Sequence, residues 1–372
     1  MKKDTKLAHT GRAARTNGGG VNPAVEHAST LLFETVADLR HGGRNYGYGR
    51  YGSEVHRKFE ECVCELEGGV ETRLAPSGLA AVNAALIAFV EAGDHILVTD
   101  SAYDPVRSFC DRFLGRFGVT TEYYDPLIGE GLRDLMRPET KLVLAESPGS
   151  LTFEVQDLPA LAKAAHAGGA RLIVDNTWSA GYFLQPLALG ADVSVQAGTK
   201  YLVGHADAMI GTLTSADAEC AKAIRTALQQ LGSYVAPDEV YLALRGVRTL
   251  SVRLRQHERN ALEIAHWLED RPEVDRVLHP ALPGCPGHEI WKRDFSGSCG
   301  LFSALLKPAP EAAVAAMLDG MDLFGMGFSW GGYESLAIPS NPALCRTATK
   351  WPADGPLIRF HIGLEDTADL IA

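Results

Sequence analysis

Cysteine is scarce. Cys62, Cys64, Cys110, Cys220, Cys285, Cys299 and Cys345 are the seven thiols in 372 residues. The number is odd and no C-x-x-C pair occurs, which argues against a disulfide framework and against a zinc cage. Cys62 and Cys64 stand two apart in a helical pattern, so they face different ways. Cys285 and His288 form a C-x-x-H pair with no second pair nearby, and they read as a loop thiol and a surface histidine. His288-Glu289 begins the H-E-x-x-H motif, but Lys292 holds the fifth place and breaks it. No metal site is expected.

Long apolar runs are also missing. The longest charge-free stretches, 74–90 and 176–191, are interrupted by Pro76, Ser77, Gly78 and Asn83 and by Asn176, Gln185 and Pro186. Neither reads as a membrane span. Lys2, Lys3 and Asp4 follow Met1 with no apolar segment behind them, so no secretory signal is expected and the default location is cytoplasmic. Positive charge is in deficit: 35 Lys and Arg face 46 Asp and Glu, a net charge of −11. Such a chain is a poor general binder of nucleic acids or anionic membranes. No repeat of twenty to fifty residues is visible.

What remains is an ordinary globular composition, 46% hydrophobic and 22% charged, at a length suited to two or three units. The first fifty residues are rich in Gly and polar residues. The runs 17–20 and 41–52 read as loops, so this segment should build little core and lie over another surface, such as a second subunit. From Ser53 onward the texture changes. Residues 54–67 carry Val55, Phe59, Val63 and Leu66 near one helical face and stop at Gly68-Gly69. Strands are expected over 72–75, 95–99, 120–124, 142–145, 171–174, 192–196 and 208–214. Helices are expected over 78–90, 105–117 and 158–167. The alternation indicates an α/β domain with a largely parallel sheet. After Gly246 a long amphipathic helix over 249–270 leads into strands at 274–279 and 300–306 and a helix at 311–318, a smaller α+β unit. The expected division is an N-terminal arm (1–52), a large α/β domain (53–246) and a small C-terminal domain (247–372).

Three strands run into polar residues: one into Glu146-Ser147-Pro148-Gly149, one into Asp175-Asn176-Thr177-Trp178, one into Gly198-Thr199-Lys200. The carboxyl ends of parallel strands line the ligand crevice of such sheets. An isolated Asp175 or Lys200 would read as a cap or ion pair, but here they accompany a third element. Ala75-Pro76-Ser77-Gly78 opens an Ala-rich helix whose free N–H groups suit a phosphate, though Ser-Gly before a helix is usually only a cap. Neither a Walker loop nor G-x-G-x-x-G is present. Lysine, carboxylate and a helix-start phosphate site together fit pyridoxal 5′-phosphate (PLP). The lysine amine would condense with its aldehyde and the carboxylate would pair with its ring nitrogen. Tyr103, after another strand, would either stack on the ring or merely cap the next helix.

The stretch Asp175-Asn176-Thr177-Trp178, followed by the run from Gln196 through Lys200 to His205, resembles the Cys/Met-metabolism family of PLP enzymes. The segments 124–129, 145–150, 291–298, 328–335 and 358–366 are similar to the β-eliminating bacterial members, and the likeness spans the chain from about Leu7 onward. It implies a PLP-dependent transferase-like fold of type I, as in aspartate aminotransferase, with a mostly parallel seven-stranded sheet. It implies Lys200 as the cofactor lysine and general base, Asp175 on the pyridine nitrogen and Tyr103 on the ring. Gly78, Leu79 and Thr199 would hold the phosphate. Tyr48 and Arg50 would reach the phosphate of a neighbouring subunit in a homotetramer built from dimers. Arg359 would clamp the substrate carboxylate, and Ser329 and Trp330 would line the pocket, Trp330 otherwise being a plain core aromatic. The implied reaction is β-elimination of an amino-acid thioether, cystathionine, to homocysteine, pyruvate and ammonia, with cystine and other cysteine conjugates as further substrates. Relatives with γ-chemistry usually carry Glu-Ser-Pro-x-Asn-Pro where this chain has 146–150; γ-elimination, γ-replacement or a PLP-binding regulatory role are the alternatives. Gln229 stands where close relatives often carry a tyrosine.

Overall fold

The computed structural model describes residues 1–12, 18–41 and 47–372. Parts of the two loops expected in the first fifty residues, 13–17 and 42–46, lie outside these.

The large sheet has seven strands: β1 (Glu71–Ala75), β2 (His95–Thr99), β3 (Thr120–Tyr124), β4 (Thr140–Glu146), β5 (Arg171–Asp175), β6 (Val193–Gln196) and β7 (Gly211–Ser215). Their spatial order is β1-β7-β6-β5-β4-β2-β3. β7 runs antiparallel to both its neighbours, while β5 pairs in parallel with β4 and β6, and β2 with β4 and β3. A second, antiparallel sheet holds β8 (Val274–Leu278), β9 (Leu301–Leu306), β10 (Leu336–Ser340) and β11 (Leu357–His361) in the order β10-β11-β9-β8.

The helices are α1 (Lys3–His9), α2 (Val36–His41), α3 (Glu54–Glu67), α4 (Gly78–Ile87), α5 (Asp104–Ser108), α6 (Leu158–Ala167), α7 (Ala218–Gln230), α8 (Pro237–Val247), α9 (Leu250–Glu269), α10 (His288–Asp294), α11 (Glu311–Asp319) and α12 (Thr367–Ile371). α3 shows why they form where they do. Ser53 and His56 make a reciprocal capping box, Val55, Phe59, Val63 and Leu66 are buried, and Gly68 closes the helix at φ +73°.

Four details differ from the sequence reading. The first ten residues are not coreless: α1 packs on α3 with Leu7 buried, and Arg248 donates to the carbonyls of Leu7 and Thr10. A single apolar residue in a polar helix gives too little periodicity to betray this. The helix expected over 105–117 is broken into α5, a π turn (Phe109–Phe113) and a 3-10 turn (Leu114–Phe117). β7 starts at Gly211, later than expected. Cys285 and His288 are packed rather than superficial: the thiol donates to the Phe153 carbonyl, and the imidazole bonds the Pro280 carbonyl.

Two close contacts tie distant segments together at the carboxyl ends of the parallel strands. Gly78 opens α4 directly against the strand-end loop after β6, where a Cβ would come within 2.3 Å of Ala197 Cβ and 2.7 Å of its Cα. Asp100, buried just beyond β2, gathers the segment 347–349, which lies between β10 and β11. It accepts from the N–H groups of Thr347 (2.9 Å), Ala348 (3.1 Å) and Thr349 (2.7 Å) and pairs with Arg107 at 2.9 Å. Burial would raise the carboxyl pKa, but these donors outweigh it and hold the group below the usual range.

The substitution Gly78→Ala has no room without backbone movement, so it should destabilise the chain by about 1–3 kcal/mol, the usual cost of overpacking. The measurement is the thermal midpoint, which should fall.

Candidate active site

A cavity of about 590 Å³ opens at the carboxyl ends of the parallel strands and is closed on its far side by residues of the small sheet. Four groups meet there. Ser77 caps α4, its Oγ accepting from the Ala80 N–H at 3.1 Å, so the helix start faces the cavity beside Gly78 and Leu79. Thr199 joins them, its hydroxyl accepting from the Ile210 N–H at 3.0 Å. Asp175 ends β5. Its Oδ1 accepts from the Thr177 N–H at 3.0 Å and from the Thr177 hydroxyl, while among the described residues none donates to its other oxygen. Lys200 follows β6, and its Nζ donates to Ser329 Oγ at 2.7 Å and lies 5.3 Å from the centre of the Trp330 ring.

Arg359 enters from β11, donating through Nη2 to the Ser329 carbonyl at 3.0 Å. Ser329 has φ +81°, a conformation uncommon outside glycine, and so its backbone is strained in order to present both its hydroxyl and its carbonyl inward. Tyr103 is the N-cap residue of α5, with no capping bond from its side chain, and it also lines the cavity. Trp330 likewise lines the cavity while its ring packs on Tyr201, 5.4 Å between centres.

In the sequence Glu146 stands out only as a polar strand end. In the parallel ladder it is the register partner of Asp175. It accepts from the Tyr103 N–H at 2.7 Å and from the Ser150 hydroxyl at 2.5 Å. Burial and the neighbouring Asp175 push its pKa up. Burial also pushes Asp175 up, and the bonds from Thr177 and the charge of Lys200 oppose that. Lys200 moves the other way: burial first, then the Arg359 charge, bring it down to about 8, with Asp175 pulling it back. Thr177 is the other site residue that sequence reasoning leaves without a role, although it sits in the Asp175-Asn176-Thr177-Trp178 run.

The structure thus brings Gly78, Leu79, Tyr103, Asp175, Thr199, Lys200, Ser329, Trp330 and Arg359 to one cavity. Tyr48 and Arg50 do not line it; Arg50 reaches the Gln229 carbonyl of its own chain at 3.3 Å. The donor set suits PLP: a helix start for a phosphate, a carboxylate with one open oxygen for a ring nitrogen, an aromatic wall, and an amine whose lowered pKa favours the nucleophilic neutral form.

The comparisons with known proteins agree with this chemistry. The family described as Cys/Met metabolism PLP-dependent enzyme matches residues 4–372. The chain is 48% identical to the cystathionine beta-lyase of Salmonella typhimurium, covering 99% of this chain and 96% of that protein. It is 43% identical to the cystathionine beta-lyase of Haemophilus influenzae, with 99% and 96% covered. Among solved structures it resembles cystathionine gamma synthase from Xanthomonas oryzae pv. oryzae in complex with aminoacrylate and cysteine. That likeness has a TM-score of 0.92 and 32% identity, covering 100% of this chain and 96% of that one.

In the cofactor-free chain, Lys200 should react with an amine-selective acylating reagent with a midpoint near pH 8, below the ~10.4 of an exposed lysine. Arg359→Leu removes a like charge and should move the midpoint upward. Peptide mass spectrometry at Lys200 across pH gives both curves, and a midpoint above 10 in the parent chain contradicts the burial argument.

Proposed function

The chain belongs to the Cys/Met metabolism family of PLP-dependent enzymes, and we propose that its cavity carries out β-elimination on L-cystathionine, releasing homocysteine, pyruvate and ammonia. Cystine and other cysteine conjugates are proposed as further substrates. The observation that carries this reading is the meeting of Lys200, Asp175 and Arg359 in one cavity with the start of α4. PLP is the cofactor, and when bound it supplies an electron sink for the negative charge left at the substrate Cα.

The chain's own residues do the rest. The N–H groups at Gly78 and Leu79, with Thr199, take the phosphate. Asp175, oriented by Thr177, would pair with the ring nitrogen and favour its protonated form. Tyr103, its N–H held by Glu146, would stack on the ring. Arg359 offers two parallel N–H groups to the substrate α-carboxylate and so orients the Cα–H bond. Lys200 takes the Cα proton, and its pKa near 8 suits a base working close to neutrality. The Cβ–S bond then breaks, the sulfur leaves with a proton as homocysteine, and hydrolysis of the remaining three-carbon fragment gives pyruvate and ammonia. γ-Chemistry is not favoured, because β-lyases lead the likeness in sequence.

Three cations line the cavity, and each already has a protein partner: Lys200 and Arg359 bond Ser329, and Arg346 pairs with Glu154 at 2.6 Å. Among the described residues, none of these lining cations is left without a partner to meet a dianionic phosphate at the helix start. This supports delivery of Tyr48 and Arg50 from a second subunit, within a tetramer of two such dimers. We assign residues 1–52 to that arm, 53–246 to the cofactor domain and 247–372 to the small domain. Among the described residues no helix is long and apolar enough to cross a membrane. A small polar substrate and seven unpaired thiols support a cytoplasmic location.

Purified enzyme given cystathionine should yield pyruvate; a predominance of 2-oxobutyrate would falsify the β-elimination reading. Lys200→Ala should lower kcat by at least ~10³-fold, the upper part of what one positioned proton-transfer group contributes. Arg359→Leu should raise KM roughly tenfold to a hundredfold, the equivalent of ~1.5–3 kcal/mol for a charged hydrogen bond. Two inactive variants, Arg50→Ala and Lys200→Ala, should regain activity when refolded together, because a mixed dimer then holds one intact site; no regain sinks the shared-site proposal.

A further inference from the structure

Two residues beyond Arg359 on β11, and therefore on the same face of the strand, lies His361. It is 1% exposed. Both ring nitrogens are bonded to one short turn: Nδ1 meets the Glu334 carbonyl at 3.0 Å, and Nε2 meets the Gly331 N–H at 3.0 Å. A carbonyl can only accept and an N–H can only donate. The ring must therefore carry its proton on Nδ1 and leave Nε2 bare. A doubly protonated ring would set N–H against N–H at Gly331.

The neighbours agree with a neutral ring. Lys200 and Arg359 place positive charge on the cavity side, and His257 of α9 lies 5.3 Å away, its own Nδ1 bonded to the Ile362 carbonyl. The Tyr201 ring packs 6.0 Å away and is neutral at ordinary pH.

The turn that His361 grips is the one that shapes the site. Gly331 has φ +88°, and a Cβ on it would meet the backbone of Lys200 at 2.9 Å. One residue earlier, Trp330 packs on Tyr201; two residues earlier, strained Ser329 accepts from Lys200 and from Arg359. A strained residue holds its conformation only when its surroundings over-determine it.

We propose that neutral His361, as its Nδ1–H tautomer, is a positioning residue: a strut between Glu334 and Gly331 that holds the Ser329–Gly331 turn on Lys200 and thereby sets the Lys200 amine and the Arg359 guanidinium in register with each other. The strut follows from the geometry, while its catalytic consequence rests on the proposed β-elimination at this site. His361 touches neither substrate nor cofactor.

The test is hydrogen exchange of peptides covering residues 328–335, on the PLP-loaded enzyme and on the apo chain, beside steady-state kinetics. His361→Leu keeps a similar volume and removes both bonds. Exchange in 328–335 should accelerate about tenfold or more with the rest of the molecule unchanged, the consequence of leaving buried partners unsatisfied. Both kcat and the KM for cystathionine should suffer, since Lys200 and Arg359 lose one anchor together. His361→Gln keeps an acceptor for the Gly331 N–H and should restore protection at that amide; His361→Asn, which keeps the Nδ1-side donor alone, should not. Should the Leu variant fail to fold, the Gln and Asn pair decides. Parental exchange in the Leu variant, or equal behaviour of Gln and Asn at Gly331, overturns the strut. Exchange does not depend on turnover. An inactive parent enzyme with the expected exchange pattern would therefore sink the proposed reaction and leave the strut standing.

Discussion

Two carboxylates end neighbouring strands side by side, and the rest of the site is arranged around them. Glu146 and Asp175 are register partners in the parallel ladder. At an effective dielectric of 20, two unit charges 4 Å apart repel by about 4 kcal/mol, and burial together with Asp175 pushes Glu146 up to about 8, toward holding a proton. Each carboxylate has its own donors: Ser150 and the Tyr103 N–H for Glu146, Thr177 for Asp175. Lys200 and Arg359 supply the positive side from two different sheets. The same burial that raises the acids lowers Lys200. One desolvated pocket thereby holds both a buried carboxylate and an amine brought down to about 8.

This local balance explains how a chain of net charge −11 binds an anionic cofactor and a substrate carboxylate. The global field repels both. The cavity itself is lined by a helix start, the Arg359 guanidinium and the Lys200 amine, and at short range low dielectric makes each count for more than the distant surface charge.

Much of this was legible in the sequence. The strand–helix alternation places the seven-stranded sheet, and polar residues at three strand ends point to Asp175 and Lys200. What lay hidden depends on contacts between distant segments. Glu146 looks like any strand-end acid until the ladder sets it beside Asp175. Arg359 in an apolar strand is named by the resemblance alone, and its bond to the Ser329 carbonyl appears only once the small sheet is in place. His361 looks like a core histidine, which it also is, and its second role needs the turn at 331, thirty residues away in sequence. Leu7 shows the opposite failure, since a lone apolar residue in a polar stretch gives no period to read. Across the π and 3-10 turns that replace the helix expected over 105–117, Phe109, Phe113 and Phe117 keep their ring centres 4.9 and 5.1 Å apart, an i, i+4 spacing that reads the same in a regular helix.

The Asp100 cluster has a mechanical meaning. Residues 347–349 belong by sequence to the connection between two strands of the small sheet, yet their N–H groups are held by a carboxylate at the end of β2. Arg346, bonded to Glu154, extends the same grip. The stretch of cavity wall at Cys345 and Arg346 is therefore tied to the large sheet, whereas Arg359 stands on a strand of the small one. One cavity thus has part of its wall pinned to the large sheet by a buried carboxylate and part carried by a strand of the small sheet.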